Sequence, residues 1–315
     1  MRAFTCLRKF TLTIAFAMTL CSYMQAANLK VNCNQTGENE GAQRTITAAL
    51  MRLNPIGPNT VTVSGACHEN VVIQSFDRLT LVANPGASIS DASAGNSDVV
   101  TIIDSQRILV QGFTVNGGSN GISCVEDSTC RLDGNTVQNS AGNGVVLGRS
   151  RAVLSNNLLR NNGFRGLSVL HASDVSSFQD VSINNAEGAR AVTHSSIVAQ
   201  NSTFQNNAGV GIGAAQNSAL RIFASTISGN ADGVVLSGSS AAQIPDFGSG
   251  PSNITGNLAN GVRVGDLSFA SFLGANVTGN HTGGTGFDVL CAPQFSATRG
   301  TATDIGGGTT NCVEP

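Results

Sequence analysis

Leu158-Leu159-Arg160-Asn161-Asn162-Gly163-Phe164-Arg165-Gly166-Leu167-Ser168-Val169-Leu170 returns as Val181-Ser182-Ile183-Asn184-Asn185-Ala186-Glu187-Gly188-Ala189-Arg190-Ala191-Val192, and again as Thr203-Phe204-Gln205-Asn206-Asn207-Ala208-Gly209-Val210-Gly211-Ile212-Gly213-Ala214-Ala215. Each copy holds a short apolar run, an Asn, a Gly soon after it and a second alternating run. Working outward, the Asn recurs as Asn116, Asn139, Asn162, Asn185, Asn207, Asn230, Asn257 and Asn280, in steps of 23, 23, 23, 22, 23, 27 and 23 residues. Self-similarity at this period marks a solenoid, in which one repeat cannot bury its own apolar face and stacked repeats can.

Within a repeat the apolar runs are 3 to 5 residues long, too short for helices, and Gly breaks them too often for a sandwich. Stacked as parallel strands about 4.8 Å apart, eight registers give a rod of about 38 Å. The repeated Asn has a mechanical role, because one side-chain amide both donates and accepts. Identical Asn residues on successive turns therefore form a hydrogen-bonded ladder.

At the start, Arg2, Arg8 and Lys9 precede an apolar run from Phe10 to Leu20 and the small residues Ala26 and Ala27, so residues 1–27 read as a secretion signal. No later stretch is long and apolar enough to span a bilayer, so the mature chain is expected to have no membrane span. Its loss leaves 14 basic against 19 acidic side chains, a net charge of −5, which argues against nucleic acid as a partner. Six cysteines remain: Cys33, Cys67, Cys124, Cys130, Cys291 and Cys312. An even number in an exported chain predicts disulfides, and six thiols allow 15 connectivities. Their placement favours Cys33 with Cys67, Cys124 with Cys130, and Cys291 with Cys312. None has zinc-site spacing.

The expected domain layout is a signal at 1–27, a cap and first strand at 28–70, the solenoid at 71–290 and a C-terminal cap or tail at 291–315. Thr45 to Leu53 has apolar residues at helical spacing and predicts a short amphipathic helix that covers the open end. The four extra residues between Asn230 and Asn257 place a loop at Ser239 to Pro251, leaving the rod.

The alternation of Asn turns with G-apolar-x-apolar strands, headed by a capping helix and Ser64-Gly65-Ala66-Cys67-His68-Glu69-Asn70-Val71-Val72-Ile73, resembles right-handed parallel β-helix proteins of the pectin-lyase-like superfamily over about residues 42–290. The resemblance implies an all-β, single-stranded right-handed parallel β-helix with a short N-terminal capping helix. It does not choose a function, since such scaffolds carry lyases, hydrolases, esterases and epimerases as well as proteins without known activity. The Asp-Asp and Gly-His-Gly stretches of polygalacturonase-like enzymes are absent. A Trp-bearing lyase signature is impossible in a chain with no Trp. The strand around His68 and Glu69 resembles that of pectinesterases, but the Gln, Asp and Arg motifs of those enzymes have no counterpart.

Nine residues past each ladder Asn stand Gly148, His171, His194, Gln216 and Ser239, flanked by Arg149 and Asp174. Read as a site, Arg149, His171, His194 and Gln216 bind an acidic sugar, with one His able to serve as a general base; read structurally, they are polar groups at solvated strand ends. A second column runs Asn120, Asn143, Arg165, Glu187, Val210, Asp232, Asn260, Thr285. Here Arg165 and Glu187 predict an ion pair, and with Asp232 they could hold an acidic sugar or Ca²⁺. The sequons at Asn201 and Asn276 matter only in a host that glycosylates. The sole Tyr lies at position 23, so a high-affinity neutral-glycan groove is disfavoured.

The functional expectation is an exported scaffold, secreted, periplasmic or at the cell surface, that binds an acidic polysaccharide or a surface partner without turning it over. The alternative is a lyase or epimerase on uronic-acid polymers. No cofactor is expected for a scaffold; Ca²⁺ enters only with the lyase alternative.

Overall fold

A computed structural model describes residues 26–35, 42–246, 248–292, 297–299 and 305–312. The predicted signal lies almost wholly outside the described residues. The chain coils through three parallel sheets, of 13, 10 and 10 strands, here called A, B and C. One rung shows the path: Arg151–Ser155 in sheet A, Leu158–Arg160 in sheet B and Arg165–Leu170 in sheet C. Each strand pairs with its equivalent one rung away, as Leu158 does with Val181.

Alternation decides which side chains enter the rod. In the three-residue strands of sheet B only the middle residue points inward, giving a column of Val115, Val137, Leu159, Ser182, Phe204 and Ile227, each at most 2% exposed. Sheets A and C contribute two inward residues per strand, among them Ala152 with Leu154, and Ala189 with Ala191. Residues of different size share these columns, with Ser182 next to Phe204, and the interior fills with aliphatic side chains and a few Phe.

Three corners join the sheets, and each carries a buried polar ladder. At the B-to-C corner Asn162 donates its backbone N–H and its Nδ2 to Oδ1 of Asn185, at 2.9 and 3.0 Å, and the pattern repeats through Asn207, Asn230, Asn257 and Asn280 to the carboxylate of Asp288. The first two predicted members do not belong. Ser140, not Asn139, donates to Asn162, while exposed Asn139 bonds Asn116 on the outside. Asn139 stands one residue and Asn116 two residues before the ladder position, which Ser140 and Gly118 occupy on those rungs.

The other two ladders were not anticipated. At the C-to-A corner the Oγ atoms of Ser105, Ser128, Ser150, Ser173, Ser195, Ser218, Ser240 and Ser268 each accept the backbone N–H of the rung before. At the A-to-B corner the acceptors are Asn135, Asn157, Asp180, Ser202, Ser225 and Ser252. A buried N–H without a partner costs roughly 1–3 kcal/mol, and these side chains supply one at each turn.

The cap helix, α1, covers Ile46–Leu50, shorter than expected, with Thr45 as N-cap accepting from Ala48. Its first turn is held from outside, because Glu69 accepts the N–H of Ile46 and Thr47 at 2.7 and 3.0 Å. Ile46, Ala49 and Leu50 close the end of the core. The three favoured disulfides all form: Cys33–Cys67, Cys124–Cys130 and Cys291–Cys312. The expected loop at Ser239 to Pro251 is partly strand, since Ala241–Pro245 pairs in sheet A with Phe269–Leu273. The inserted residues therefore follow Pro245. Among the described residues no helix is long and apolar enough to cross a membrane.

Candidate functional site

The predicted histidine column does not stack as expected. Gly148 pairs with Leu170 and Leu170 with Val192, so the residues that follow align as Arg149, His171, Thr193 and Gln216. The rung of Arg149 turns its corner with one left-handed residue, at φ 51°, while the next rungs use two, His171-Ala172 and Thr193-His194. The shift of His194 arises one corner earlier: Asn162 stands three residues before Arg165, but Asn185 only two before its partner Glu187, so His194 falls in a column with Ala172 and Asn217. His194 Nε2 lies 3.5 Å from Asn217 Nδ2, and Gln216 accepts from Thr193 Oγ1 at 2.7 Å.

His171 and Arg149 do come together. They line a shallow cavity of about 470 Å³ with Gln106, Asp127, Thr129 and Arg151. The hollow continues onto sheet A as a second one of about 400 Å³, bordered by Arg151, Val153, Asp174 and Val198. Arg149 donates to Glu126 at 3.0 Å and Arg151 lies 3.5 Å from Asp174, but the two arginine side chains stay 60% and 79% exposed. The Cys124–Cys130 bridge spans the corner that presents Glu126 and Asp127. The insertion after Pro245 lies on another corner, several rungs away, and does not wall this groove.

On the outer face of sheet C the predicted pair forms and gains a third member. Arg165 Nε donates to Glu187 Oε2 at 2.7 Å, and Arg190 Nη1 donates to Oε1 of the same carboxylate at 2.9 Å. All three side chains are only 15–19% exposed. Asp232 does not join them: its Oδ1 accepts from Asn260 and its Oδ2 faces Arg263 at 3.7 Å. Two cations around one acid oppose a Ca²⁺ ion at this place. Arg190 was missed because it lies three residues past Glu187, outside the column that was counted.

His68 and Glu69 serve structure here. Glu69 caps α1 and His68 Nδ1 sits 3.2 Å from Ser90 Oγ. Cys33, Cys67 and Glu69 are close enough for a metal, but both thiols are spent in a disulfide.

A family model described as right handed beta helix region matches residues 98–248. Among solved structures, the mannuronan C-5 epimerase AlgE6 A-module of Azotobacter vinelandii is similar at 14% identity and a TM-score of 0.57, covering 95% of this chain and 90% of that one. The pectate lyase Pel9A is similar at 12% identity and 0.56, covering 90% and 80%. A variant of the periplasmic alginate epimerase AlgG is similar at 12% and 0.50, covering 87% and 78%. No curated protein matches the sequence. The chain is a right-handed parallel β-helix, the fold it shares with these structures.

Proposed function

We propose that the protein is an exported, non-catalytic β-helix scaffold that holds an acidic polysaccharide in the groove of Arg149, Arg151 and His171. The observation that carries this reading is the continuous hollow across the C-to-A corner and sheet A, with exposed guanidinium groups at its rim. Exposed ion pairs such as Arg149–Glu126 are worth under about 1 kcal/mol, so a polymer carboxylate can take the place of the protein's own at small cost. Gripping by charge also suits a mature chain without Trp or Tyr. Relatives in fold that act on mannuronan and pectate support acidic polymers as the ligand class. Three disulfides, with a fold shared with a periplasmic protein, support export.

The enzyme alternative keeps one observation in its favour: His171 stands one rung from Arg149, where an imidazole could take a proton from a sugar whose carboxylate the Arg holds. His194, offset into the next column, drops out of that scheme. One experiment separates the readings. Oxidised mature protein is tested for binding to pectate, alginate and a neutral glucan, and for unsaturated uronate or changed stereochemistry in the products. Salt-sensitive binding to an acidic polymer that weakens about tenfold or more in an R149A/R151A variant, without product, is the expected result. Product that vanishes in His171→Gln replaces the scaffold reading with the enzyme.

A further inference from the structure

The sheet C cluster is poorly explained as a structural ion pair. Arg165 and Arg190 share the single carboxylate of Glu187, which leaves one excess positive charge where each side chain is 15–19% exposed. Arginine at the groove rim avoids this cost by staying in water; Arg151 is 79% exposed. A largely desolvated cation needs compensation, and the flanking rungs provide none. The equivalent positions are Asn143 and Val210, while Asp232 is occupied by Asn260 and Arg263.

The guanidinium groups are also held in place. Arg165 Cζ lies 4.2 Å from the Phe164 ring centroid, and Arg165 Nη1 donates to Ser168 Oγ at 3.3 Å. Arg190 lies against the next rung, its Nε 3.8 Å from where a Cβ of Gly213 would stand, an ordinary packing distance. Among the described residues, Arg165 Nη2 and Arg190 Nε and Nη2 have no hydrogen-bond partner in the chain.

We infer that the outer face of sheet C carries an oxyanion site, in which Arg165 and Arg190 clamp a singly charged sugar carboxylate or sulfate ester beside Glu187. Planar N–H forks suit two-oxygen acceptors. Glu187 acts as the internal competitor that holds both forks ready. The site is distinct from the Arg149 groove and does not rest on it.

The test follows the thermal midpoint of the full oxidised protein while glucuronate, methyl sulfate or glucose is added at ionic strength matched with NaCl. A ligand that binds only the folded state raises the midpoint with its concentration. We expect glucuronate or methyl sulfate to do so in the wild type and equally in R149A/R151A, which separates this site from the groove. Response to glucuronate alone identifies a carboxylate, response to methyl sulfate alone a sulfate ester, and response to both their shared chemistry. Arg165→Gln and Arg190→Gln should each abolish the response. Glu187→Gln, freed of the competitor, should respond at about tenfold lower concentration, a change of about 1.4 kcal/mol. The inference is overturned if wild type and Glu187→Gln respond to neither anion beyond the NaCl control, or if the response disappears in R149A/R151A.

Discussion

At the scale of single residues, two carboxylates in the ladders behave in opposite ways. Asp180 stands in the A-to-B ladder between Asn157 and Ser202, where burial pushes its carboxyl pKa up despite hydrogen bonds from Ser177 and Asn157. Asp288 ends the Asn ladder at the C-terminal side. Burial alone would raise it, but hydrogen bonds from Thr309 and Asn280 outweigh that and hold it lower. The signs for stability follow from proton linkage. Between its unfolded and its raised folded pKa, folded Asp180 binds more protons than the unfolded chain, so its contribution falls as pH rises from about 4. Folded Asp288 binds fewer, so its contribution is full above the unfolded pKa and fades as pH drops below about 4. An amide at 180 can keep the contacts, since Oδ1 still accepts from Asn157 and Ser177 Oγ can accept instead of donate. Asp180→Asn is therefore expected to melt higher than wild type at pH 7, with the gap closing by pH 4. Asp288→Asn should melt lower at pH 7, with its deficit shrinking toward pH 3. Melting curves at these pH values check both.

At the scale of elements, a solenoid corner is as rigid as what crosses it. The corner from sheet C to sheet A that bears Glu126 and Asp127 is closed from inside by Cys124 and Cys130, six residues apart and both buried. Closing so short a loop contributes about 2 kcal/mol by the chain-entropy estimate. Cys124→Ala with Cys130→Ala should lose about that much stability in urea unfolding, and should loosen the binding of acidic polymer at the groove beneath, measured on the same preparation. The corners also show how far the sequence could be read. The B-to-C ladder was legible because Asn is an uncommon choice to repeat eight times at a near-constant spacing, and six of the eight form it. The Ser ladder was hidden, because Ser is abundant on any polar surface and only the buried N–H groups distinguish Ser105 or Ser173 from its neighbours. The A-to-B ladder was hidden further by changing its residue type, from Asn135 and Asn157 to Asp180 and then to serines. Counting from the ladder Asn failed for His194 because the B-to-C corner holds one residue fewer between Asn185 and Glu187 than between Asn162 and Arg165, and sequence period alone does not reveal at which corner a residue is lost.

At the scale of the whole molecule, each rung touches only the rungs before and after it, so the rod should tolerate the loss of one. Residues 185–206 make a full turn of 22 residues. Their removal joins Asn184 to Asn207 and sets Asn207 Oδ1 where Asn185 Oδ1 accepted from Asn162. Sheet C strand Val210–Ala215 would then stack on Arg165–Leu170, sheet A strand Ala219–Phe223 on Asp174–Phe178, and sheet B strand Thr226–Ser228 on Val181–Ile183. Inward residues meet inward residues in all three, with Leu220 and Ile222 over Val175 and Ser177, so alternation and ladder both survive the splice. The deleted rung contains Glu187, Arg190 and His194 but neither Arg149, Arg151 nor His171. The shortened protein should fold cooperatively with the same strand-rich circular dichroism and a lower melting point. It should retain acidic-polymer binding at the groove, where the splice sets Arg221 in the place of the deleted Val198, and lose the anion-dependent stabilisation at sheet C. Loss of both responses in a chain that still folds would mean that the two places act as one surface, and an unfolded product would mean that the core at this height depends on the order of its large and small residues rather than on the repeat.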